Sequence, residues 1–324
     1  MEKKPAGICI IEAPCKINLH LRIGERRPDG FHSLESLFAS VAFSDTLQFE
    51  FSEREGESLL STNWEVPWQE ISEENNLVLR AISLFRERTS FKRGLHVHLD
   101  KRIPVGAGLG GGSSDAASTL LAMNLLSEAA LSASELNEMA SSLGSDVPFF
   151  LTGGTAFVSG RGELVEPAKS PQGLWVVLVK PSFSSDTASA FRLLDLVRKQ
   201  GACEEKVEFR EALPKEALIR ALEGESGAWP FYNDFLTVFL RSGSLNWENP
   251  DQDYKTKAGA YRAILESLRD FGASFTGLSG AGSCCFGVFG AKGEAERAAE
   301  KLPESGNFVR LTFFLAHKAN PVLK

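Results

Sequence analysis

Hydrophobic and polar residues alternate along positions 7–24, and Pro14 interrupts the alternation, so this stretch predicts a strand, a break and a second strand. Polar residues dominate positions 52–75, which predicts a loop or a short hairpin there. The other strands of the first half are predicted where β-forming residues alternate or cluster, at 45–51, 95–103 and 155–160.

Helical spacing replaces the alternation over 76–88, from Ser113 onward and over 132–143, which predicts three helices. Proline, glycine and polar residues cluster at 166–173, where we predict a domain boundary. The elements predicted beyond it are a buried strand at 174–181, helices near 187–199, 215–223, 231–241 and 257–271, a helix from about Lys292 and a strand at 309–316. Strands and helices occur in both halves, so the fold class is α+β. A chain of 324 residues exceeds the ~100–200 of most single domains, so two domains in contact are expected.

The chain has a formal net charge of -7, with 43% hydrophobic and 24% charged residues, as is ordinary for a globular protein. Nucleic acids and anionic membranes attract basic surfaces, so we expect neither as a partner. The five cysteines show no C-x-x-C spacing and two of them are adjacent, which favours a reduced, cytoplasmic setting. No apolar run reaches the ~18–20 residues of a membrane span, and the N-terminal run is too short for a signal peptide.

The stretch IPVGAGLGGGSSDAAS at 103–118 places five glycines within seven residues, between a predicted strand and a predicted helix. Each glycine costs roughly 0.5–1 kcal/mol relative to alanine inside regular structure, so such a run indicates close approach of the backbone to a ligand. Free amide groups and the helix dipole make a helix N-terminus favourable for phosphate. Ser113 and Ser114 could cap the helix or contact a phosphate or its magnesium. A flexible loop before a capped helix is the alternative.

Three familiar nucleotide-binding motifs do not account for this stretch. Gly106-x-Gly108-x-x-Gly111 matches the dinucleotide fingerprint formally, but no acidic residue follows ~20 positions later in a clear strand-end context. No lysine precedes the serine pair as a Walker motif requires, and no H-R-D or D-F-G motif of protein kinases follows. The stretch therefore predicts a phosphate loop of another type.

Four stretches together resemble the GHMP kinase superfamily, which includes galactokinase, homoserine kinase and mevalonate kinase. They are PVGAGLGGGSSDAA at 104–117, APCKINLHLRIGERRPDGFHSLESLF at 13–38, LGSDVPFFLTGGTAFVSGRGE at 143–163 and TGLSGAGSCCFGVF at 276–289. The resemblance covers most of the chain in the same order and is weakest at 52–75 and 240–258, where we expect insertions. It is closest to the superfamily members that phosphorylate the 2-hydroxyl of cytidine-diphosphate methylerythritol in non-mevalonate isoprenoid synthesis.

The resemblance implies a two-domain GHMP kinase fold that uses ATP and Mg²⁺. Residues 1–170 would form the ATP-binding domain with the phosphate loop, and 171–324 would form an α+β domain that completes the substrate site. The implied nucleotide-binding residues are Pro104, Gly106, Gly108, Leu109, Gly110, Gly111, Gly112, Ser113 and Ser114. Asp115 stands where asparagine is common in similar kinases, and it could contact magnesium or favour the helix N-terminus. The partners would be ATP and the small-molecule substrate, and the protein would be a monomer or weak homodimer.

The resemblance also implies the catalytic pair Lys16 and Asp146. A carboxylate can accept the proton of an attacking hydroxyl, and an ammonium can keep that carboxylate ionised and stabilise charge on the phosphate. Taken without the matching motifs, such a lysine is more often a solvated strand residue and such an aspartate more often a turn residue or a helix cap, and the matched motifs reverse this preference for Lys16 and Asp146. Lys16 and Asn18 lie two residues apart on a predicted strand, so their side chains should share a face.

The implied substrate-binding residues are Asn18, Phe31, His32, Thr187, Phe191, Gly280, Ala281 and Gly282. Phe31 would stack on the cytosine, and His32 could hydrogen-bond its edge. Phe191 would close the other side of the base, although packing into the core of an amphipathic helix fits it nearly as well. The small residues at 280–282 would let the backbone approach the substrate diphosphate, or simply form a tight turn.

Two other pairs are not assigned to the chemistry. Asn233 and Asp234 match a family-like N-D pair that we interpret as a helix cap or a domain contact. His96 and His98 share one strand face, but no third ligand is evident, so no metal site is predicted.

Two alternative functions remain open at this point. The chain could be a GHMP kinase for another alcohol such as homoserine or mevalonate, but those substrates carry no base that the PDGFH segment could recognise. It could also be a catalytically silent binding protein, although the presence of both Lys16 and Asp146 favours an enzyme. An oxidoreductase with a dinucleotide-binding fold is the more distant possibility.

Overall fold

The computed structural model describes residues 8–65, 73–127, 129–200, 210–242 and 252–324. Two sheets and the helices around them make up this part of the chain. The first sheet contains β1 (Cys9–Arg26), β2 (His32–Ser52), β3 (Ser58–Trp64), β4 (Gly94–Lys101), β5 (Thr155–Gly160), β6 (Leu164–Ala168) and a final strand at Val322–Leu323. The second sheet contains β7 (Trp175–Lys180), β8 (Phe275–Leu278), β9 (Cys285–Phe289) and β10 (Phe308–Phe313). The final strand of the first sheet is β11.

The first sheet is organised around the long antiparallel pair of β1 and β2. Strand β2 uses its other edge twice, because residues 34–39 pair with β5 and residues 46–52 pair with β4. Strand β3 lies parallel to β4 and is joined to it through a helix, as parallel neighbours require. Strand β11 pairs with the beginning of β1, so the chain returns to the first sheet after the second is complete.

The second sheet is antiparallel throughout, in the order β10-β7-β9-β8. The chain passes from one sheet to the other between Ala168 and Trp175. This crossing overlaps the predicted boundary segment 166–173, although β6 occupies the first residues of that segment and the crossing ends one residue after it. The division into domains 1–170 and 171–324 stays a prediction.

The helices in the described residues are α1 (Leu77–Arg88), α2 (Gly111–Ser127), α3 (Ala133–Leu143), α4 (Val147–Thr152), α5 (Thr187–Gln200), α6 (Lys215–Ala221), α7 (Asp234–Ser242), α8 (Gln252–Asp270) and α9 (Lys292–Lys301). Local sequence fixes several of their starts. Asn76 caps α1 by accepting a hydrogen bond from the amide of Val78. Ser132 and Glu135 form a reciprocal capping box at the start of α3.

Three clusters of buried apolar side chains hold these elements together, and strand β1 contributes to all of them. Its first residues, including Ile11, pack in a cluster under α1–α4. Its middle residues, including Ile17, face a cluster shared with β7 and β9 of the second sheet. Its last residues, including Ile23, enter the cluster formed with α5, α7 and α8. The two sheets are therefore joined by a common core rather than by a linker alone.

The α+β prediction is confirmed, and several of its elements need correction. β1 is one strand, because its pairing with β2 resumes directly after Pro14. The proline is marked only by a register shift between Pro14 and Cys15. The segment 32–44 belongs to β2, although its apolar stretch is buried on both faces and hides the alternation expected of a strand. Part of the predicted loop at 52–75 forms β3, and the short helix α4 was not predicted.

Some sequence predictions fall outside the described residues. They concern the parts of the two expected insertions that span 66–72 and 243–251, and one of the cysteines, Cys203. The other four cysteines, Cys9, Cys15, Cys284 and Cys285, are buried and free. None of the helices in the described ranges is long and apolar enough to cross a membrane.

We predict that Phe286→Ala lowers the free energy of unfolding by about 3–5 kcal/mol, because Phe286 is fully buried in the cluster between the two sheets. Equilibrium urea unfolding followed by circular dichroism measures the change. Phe313→Ala on β10 of the same sheet is the control, since Phe313 is 47% exposed. Equal losses in the two variants would contradict a shared core at Phe286.

Candidate active site

The glycine-rich stretch lies between β4 and α2, as the sequence predicts, and its carbonyl groups are turned into the protein. Five successive carbonyl oxygens, from Gly106 to Gly110, accept hydrogen bonds. The backbone amides of Ser185 and Cys284 donate to Gly106 and Ala107, and the Ser279 hydroxyl donates to Gly108. The backbone amides of Lys16 and Ser114 donate to Leu109 and Gly110. In a trans peptide the N–H points opposite to the C=O of the same peptide unit. The amide groups of this loop are therefore directed away from the protein interior.

Three glycines of the loop adopt a backbone conformation that other residues rarely reach. Gly106, Gly108 and Gly110 have φ angles of 65°, 74° and 71°. A Cβ atom on Gly108 would also lie 2.1 Å from the carbonyl oxygen of Ser279. The shape of the loop thus requires glycine for both conformation and space.

A cavity of about 260 Å³ lies above this loop and the start of α2. Eight of the nine predicted nucleotide-binding residues line it, and Ser114 is the exception because its side chain is buried beneath the loop. Helix α2 begins at Gly111, two residues earlier than predicted, so Ser113 and Ser114 lie in its first turn and neither is its N-cap. Trp64, Asn75 and Leu77 line the far end of the same cavity and were not predicted from the sequence.

A buried ionic cluster forms part of the wall of the nucleotide cavity, which Lys101 and Asp115 line. Lys101 donates to Asp45 and, at 2.9 Å, to the Oδ2 atom of Asp115. Asp45 also accepts from the backbone amides of Arg102 and Ile103, at 2.6 and 2.8 Å. All three charged side chains are at most 3% exposed. The cluster ties the end of β4 to α2 just after its first turn, so Asp115 has an ion-pair partner that the sequence did not indicate.

Burial perturbs the pKa values in this cluster. Burial lowers the pKa of Lys101, but the charges of Asp115 and Asp45 outweigh burial and raise it overall. Burial above all, with the charge of Asp45, raises the pKa of Asp115 to about 8 against the opposing charge of Lys101. The cluster is therefore stable with one of its carboxylates protonated.

A second cavity, of about 570 Å³, shares Gly108 and Gly110 with the first and extends between the two halves of the chain. Lys16 and Asp146 lie in its wall, with 3.6 Å between Nζ of the lysine and Oδ2 of the aspartate. Asp146 precedes α4 but makes no side-chain capping bond, and its side chain is 33% exposed. The carboxylate therefore faces the cavity rather than its own helix.

Lys16 is almost completely buried where the two cavities meet. Its side chain is 3% exposed, and its Nζ lies 2.6 Å from Oδ1 of Asn18 and 4.7 Å from the centre of the Phe38 ring. Burial lowers the pKa of Lys16, while the charge of Asp146 and a hydrogen bond to it act in the opposite direction. The backbone amide of Lys16 donates to Leu109 of the phosphate loop, which fixes the lysine relative to that loop.

Asn18 shares a strand face with Lys16, as predicted, and connects it to the third glycine motif. Its Oδ1 atom accepts from the backbone amide of Gly280 at 2.8 Å, and its Nδ2 atom donates to Ser36 at 3.0 Å. Gly280 has a φ of 57° and Gly282 a φ of 88°, so the segment forms the tight turn that the sequence allowed. Because the Gly280 amide already donates its hydrogen bond to Asn18, a diphosphate near this turn would have to be bound by other groups.

The far end of the larger cavity carries the aromatic residues predicted to recognise a base. Phe31 is 55% exposed, and the guanidinium of Arg161 lies 5.2 Å from its ring centre. The rings of His32 and Phe191 stack with their centres 5.1 Å apart, and Phe191 also packs edge-on against Phe235. The two interpretations of Phe191, cavity wall and core packing, therefore both hold.

Both ring nitrogens of His32 have partners in the protein. Nδ1 lies 3.1 Å from the carbonyl oxygen of Gly24, and Nε2 lies 3.2 Å from Oδ1 of Asp195. Asp195 lines the cavity but was not predicted, since an acidic residue on a helix has no local sequence signal for this role. An edge contact from the His32 ring to a base would have to replace one of these partners.

The larger cavity brings together all the predicted catalytic and substrate-binding residues except Gly282. Thr187 lies at its rim, at the start of α5. Asn233 caps α7, as the sequence suggested, and Asp234 accepts a hydrogen bond from the Ile23 amide of β1. Within the described ranges, no group of three or more histidine, cysteine or acidic side chains could hold a metal ion.

Comparison with known families agrees with this geometry. The family model for the GHMP kinases N terminal domain matches residues 76–154, which include the phosphate loop, and the model for the GHMP kinases C terminal domain matches residues 238–307. The fold and the two cavities thus define a GHMP kinase.

Individual relatives give a narrower result. The 4-diphosphocytidyl-2-C-methyl-D-erythritol kinase of Thermodesulfovibrio yellowstonii is 36% identical over 292 residues, which cover 89% of this chain and 92% of that protein. A crystal structure of 4-(cytidine 5'-diphospho)-2C-methyl-D-erythritol kinase has a TM-score of 0.69 and 30% identity, over 97% of this chain and 98% of the other. The chain belongs to the 4-diphosphocytidyl-2-C-methyl-D-erythritol kinase family, which confirms the resemblance read from the sequence.

A plant relative matches over a shorter stretch. The chloroplastic 4-diphosphocytidyl-2-C-methyl-D-erythritol kinase of Oryza sativa subsp. japonica is 45% identical over 187 residues, or 57% of this chain. That match covers 46% of the rice protein, so the chain spans about half the length of this relative.

We predict that Gly108→Ala weakens nucleotide binding by at least about tenfold, because its Cβ would meet the Ser279 carbonyl and its φ would be strained. Isothermal titration calorimetry with an ATP analogue measures the change. Gly259→Ala on α8 is the control, since a Cβ there would meet no atom within 4 Å and Gly259 lines neither cavity. Normal binding by the Gly108 variant would contradict the tight fit between the two glycine loops.

We predict that Asp115→Asn changes the pH dependence of stability. The pKa of Asp115 is raised from 3.8 to about 8 in the folded protein, so the folded state holds this proton more tightly than the unfolded state. Its stabilising contribution is complete below about pH 4 and is lost as the pH rises to about 8. The wild type should therefore lose stability relative to the variant across this range in urea unfolding. The exposed Asp270→Asn is the control, and a pH-independent difference for Asp115→Asn would be the contrary result.

Proposed function

We propose that this protein transfers the γ-phosphoryl group of ATP to the 2-hydroxyl of 4-diphosphocytidyl-2-C-methyl-D-erythritol, a step of non-mevalonate isoprenoid precursor synthesis. The observation that carries the proposal is the position of the Lys16–Asp146 pair. It lies in the larger cavity, beside the glycines whose other side lines the nucleotide cavity. Membership of the 4-diphosphocytidyl-2-C-methyl-D-erythritol kinase family supports the choice of substrate.

The phosphate loop would hold the triphosphate of ATP. Its carbonyl oxygens are bonded inward, so its amide groups and the positive end of the α2 dipole would face the phosphate oxygens. The γ-phosphoryl group would then lie close to Gly108 and Gly110, where the two cavities meet. Phosphoryl transfer depends chiefly on such positioning and on electrostatic stabilisation.

Magnesium would neutralise charge on the β- and γ-phosphates when it is bound with ATP. Ser113 offers a hydroxyl oxygen in the wall of the nucleotide cavity for a contact of this kind, whereas the Ser114 hydroxyl is buried and does not line the cavity. Oxygen atoms are the ligands that Mg²⁺ prefers.

Asp146 would accept the proton of the attacking hydroxyl, because its carboxylate faces the cavity and is free of helix capping. Lys16 would orient the hydroxyl, and its ammonium would stabilise negative charge developing on the transferred group. Burial makes the ammonium costly to keep charged, and the nearby carboxylate offsets that cost. The pair would therefore act as a unit.

The aromatic end of the cavity would hold the cytosine. The exposed face of Phe31 and the ring of Phe191 offer stacking surfaces, and a base in this cavity would leave the methylerythritol end near Lys16 and Asp146. Homoserine and mevalonate have no group to fill this end, which makes them poorer candidates. A cytoplasmic location and a monomeric or weakly dimeric state stay predictions.

We predict ADP release with ATP, magnesium and the cytidine-diphosphate methylerythritol substrate, and little with homoserine or mevalonate. Asp146→Asn should lower kcat by roughly 10²–10⁴-fold, because the variant cannot accept the proton. A coupled ADP assay measures both, with the exposed Asp270→Asn as a matched carboxylate control.

The outcomes separate the possible functions. Turnover with another alcohol only would keep the kinase fold and reject the cytidine site. ATP binding without turnover of any substrate would favour a catalytically silent binding protein.

A further inference from the structure

Asn233 is buried in the loop before α7 and uses every hydrogen-bonding position of its side-chain amide. Its Oδ1 atom caps the helix by accepting from the amides of Phe235 and Leu236, at 2.9 and 3.2 Å. Its Nδ2 atom donates to the carbonyl oxygens of Leu278 and Gly280, at 2.8 and 2.9 Å. A side-chain amide has two donors and an oxygen with two acceptor positions, so its hydrogen-bonding capacity is filled.

A helix cap alone does not explain why this residue is asparagine. Serine, threonine and aspartate cap helices as well, because capping needs only a side-chain oxygen. The two carbonyl contacts need an N–H₂ group on the same short side chain, and asparagine is the amino acid that supplies both. The second function therefore lies in the contact with Leu278 and Gly280.

Gly280 connects this contact to Lys16 through its carbonyl and its amide. Asn233 holds the Gly280 carbonyl, while the Gly280 amide donates to Oδ1 of Asn18, which also accepts from Nζ of Lys16. A Cβ on Gly280 would lie 3.6 Å from the same Nζ and 3.4 Å from Cα of Gly108. Gly280 thus fits closely against both the lysine and the phosphate loop, and a shift of its peptide would move the partner of Lys16.

We propose that Asn233 is a positioning residue for phosphoryl transfer, whose amide fixes the Gly280 turn and thereby the orientation of Asn18 and Lys16. The inference rests on the proposed kinase function. It assigns to the residue before α7 an influence on a lysine of β1, through two hydrogen bonds to the carbonyl and the amide of one residue, Gly280, and through Asn18.

Asn233→Asp and Asn233→Ser test the proposal, because both keep an oxygen that can cap α7 and both lack the N–H₂ group. We expect kcat to fall by roughly 10- to 100-fold with an unchanged KM for ATP, since a small displacement of a reacting group has effects of this size. Ser132→Ala is the matched control, because it removes an exposed helix cap on α3 without contacting either cavity. Its kcat should equal that of the wild type.

Hydrogen exchange measured by mass spectrometry supplies a readout that does not depend on activity. In both Asn233 variants we expect faster exchange in the segment 278–284, with α7 as protected as in the wild type. A wild-type kcat in both variants would overturn the proposal, and so would a uniform increase in exchange across the chain with a parallel loss of activity. If the wild type shows no kinase activity, the proposed function fails, whereas the exchange of 278–284 still decides whether Asn233 holds the turn.

Discussion

The inward hydrogen bonds of the phosphate-loop carbonyl groups are the constraint on which the site depends. Each of the five carbonyls from Gly106 to Gly110 is held by a different residue, and these partners come from β1, α2 and the segments before α5 and β9. A loop of glycines would otherwise sample many conformations, since glycine loses more entropy on ordering than any other residue. The surrounding structure supplies the order that the loop sequence lacks, and the amide groups face the cavity as a result.

Two buried lysines beside this loop have opposite surroundings. Lys101 is enclosed with two buried carboxylates, which together provide more negative charge than it can neutralise. Lys16 is equally buried but has one carboxylate, that of Asp146, at 3.6 Å and in contact with the cavity. A closed ionic cluster suits a fixed support, because breaking it leaves a buried charge without a partner. A lysine whose carboxylate partner is 33% exposed in a cavity, as Asp146 is, is suited to interact with a ligand.

Local patterns predicted much of this architecture and little of its long-range pairing. The glycine run, the helical period after it and the positions of Lys16 and Asp146 could be read directly, because each has a local signature or a matched motif. The partner of Asp115 could not, since Lys101 and Asp45 lie on two strands whose pairing only the fold reveals. The place of Asp195 in the cavity wall and the contacts of Asn233 with Leu278 and Gly280 were also missed, because they too join residues far apart in the sequence. The apolar middle of β2 failed as a strand signal because both of its faces are buried.

The passage of β1 through all three apolar clusters has a consequence for how the protein unfolds. One continuous strand packs its first residues under α1–α4, its middle between the sheets and its end against α5, α7 and α8. Loss of any one cluster therefore exposes part of a strand that the other two need in place. Elements that share a strand in this way are coupled in unfolding, so we expect the two halves to lose their structure together despite their separate sheets.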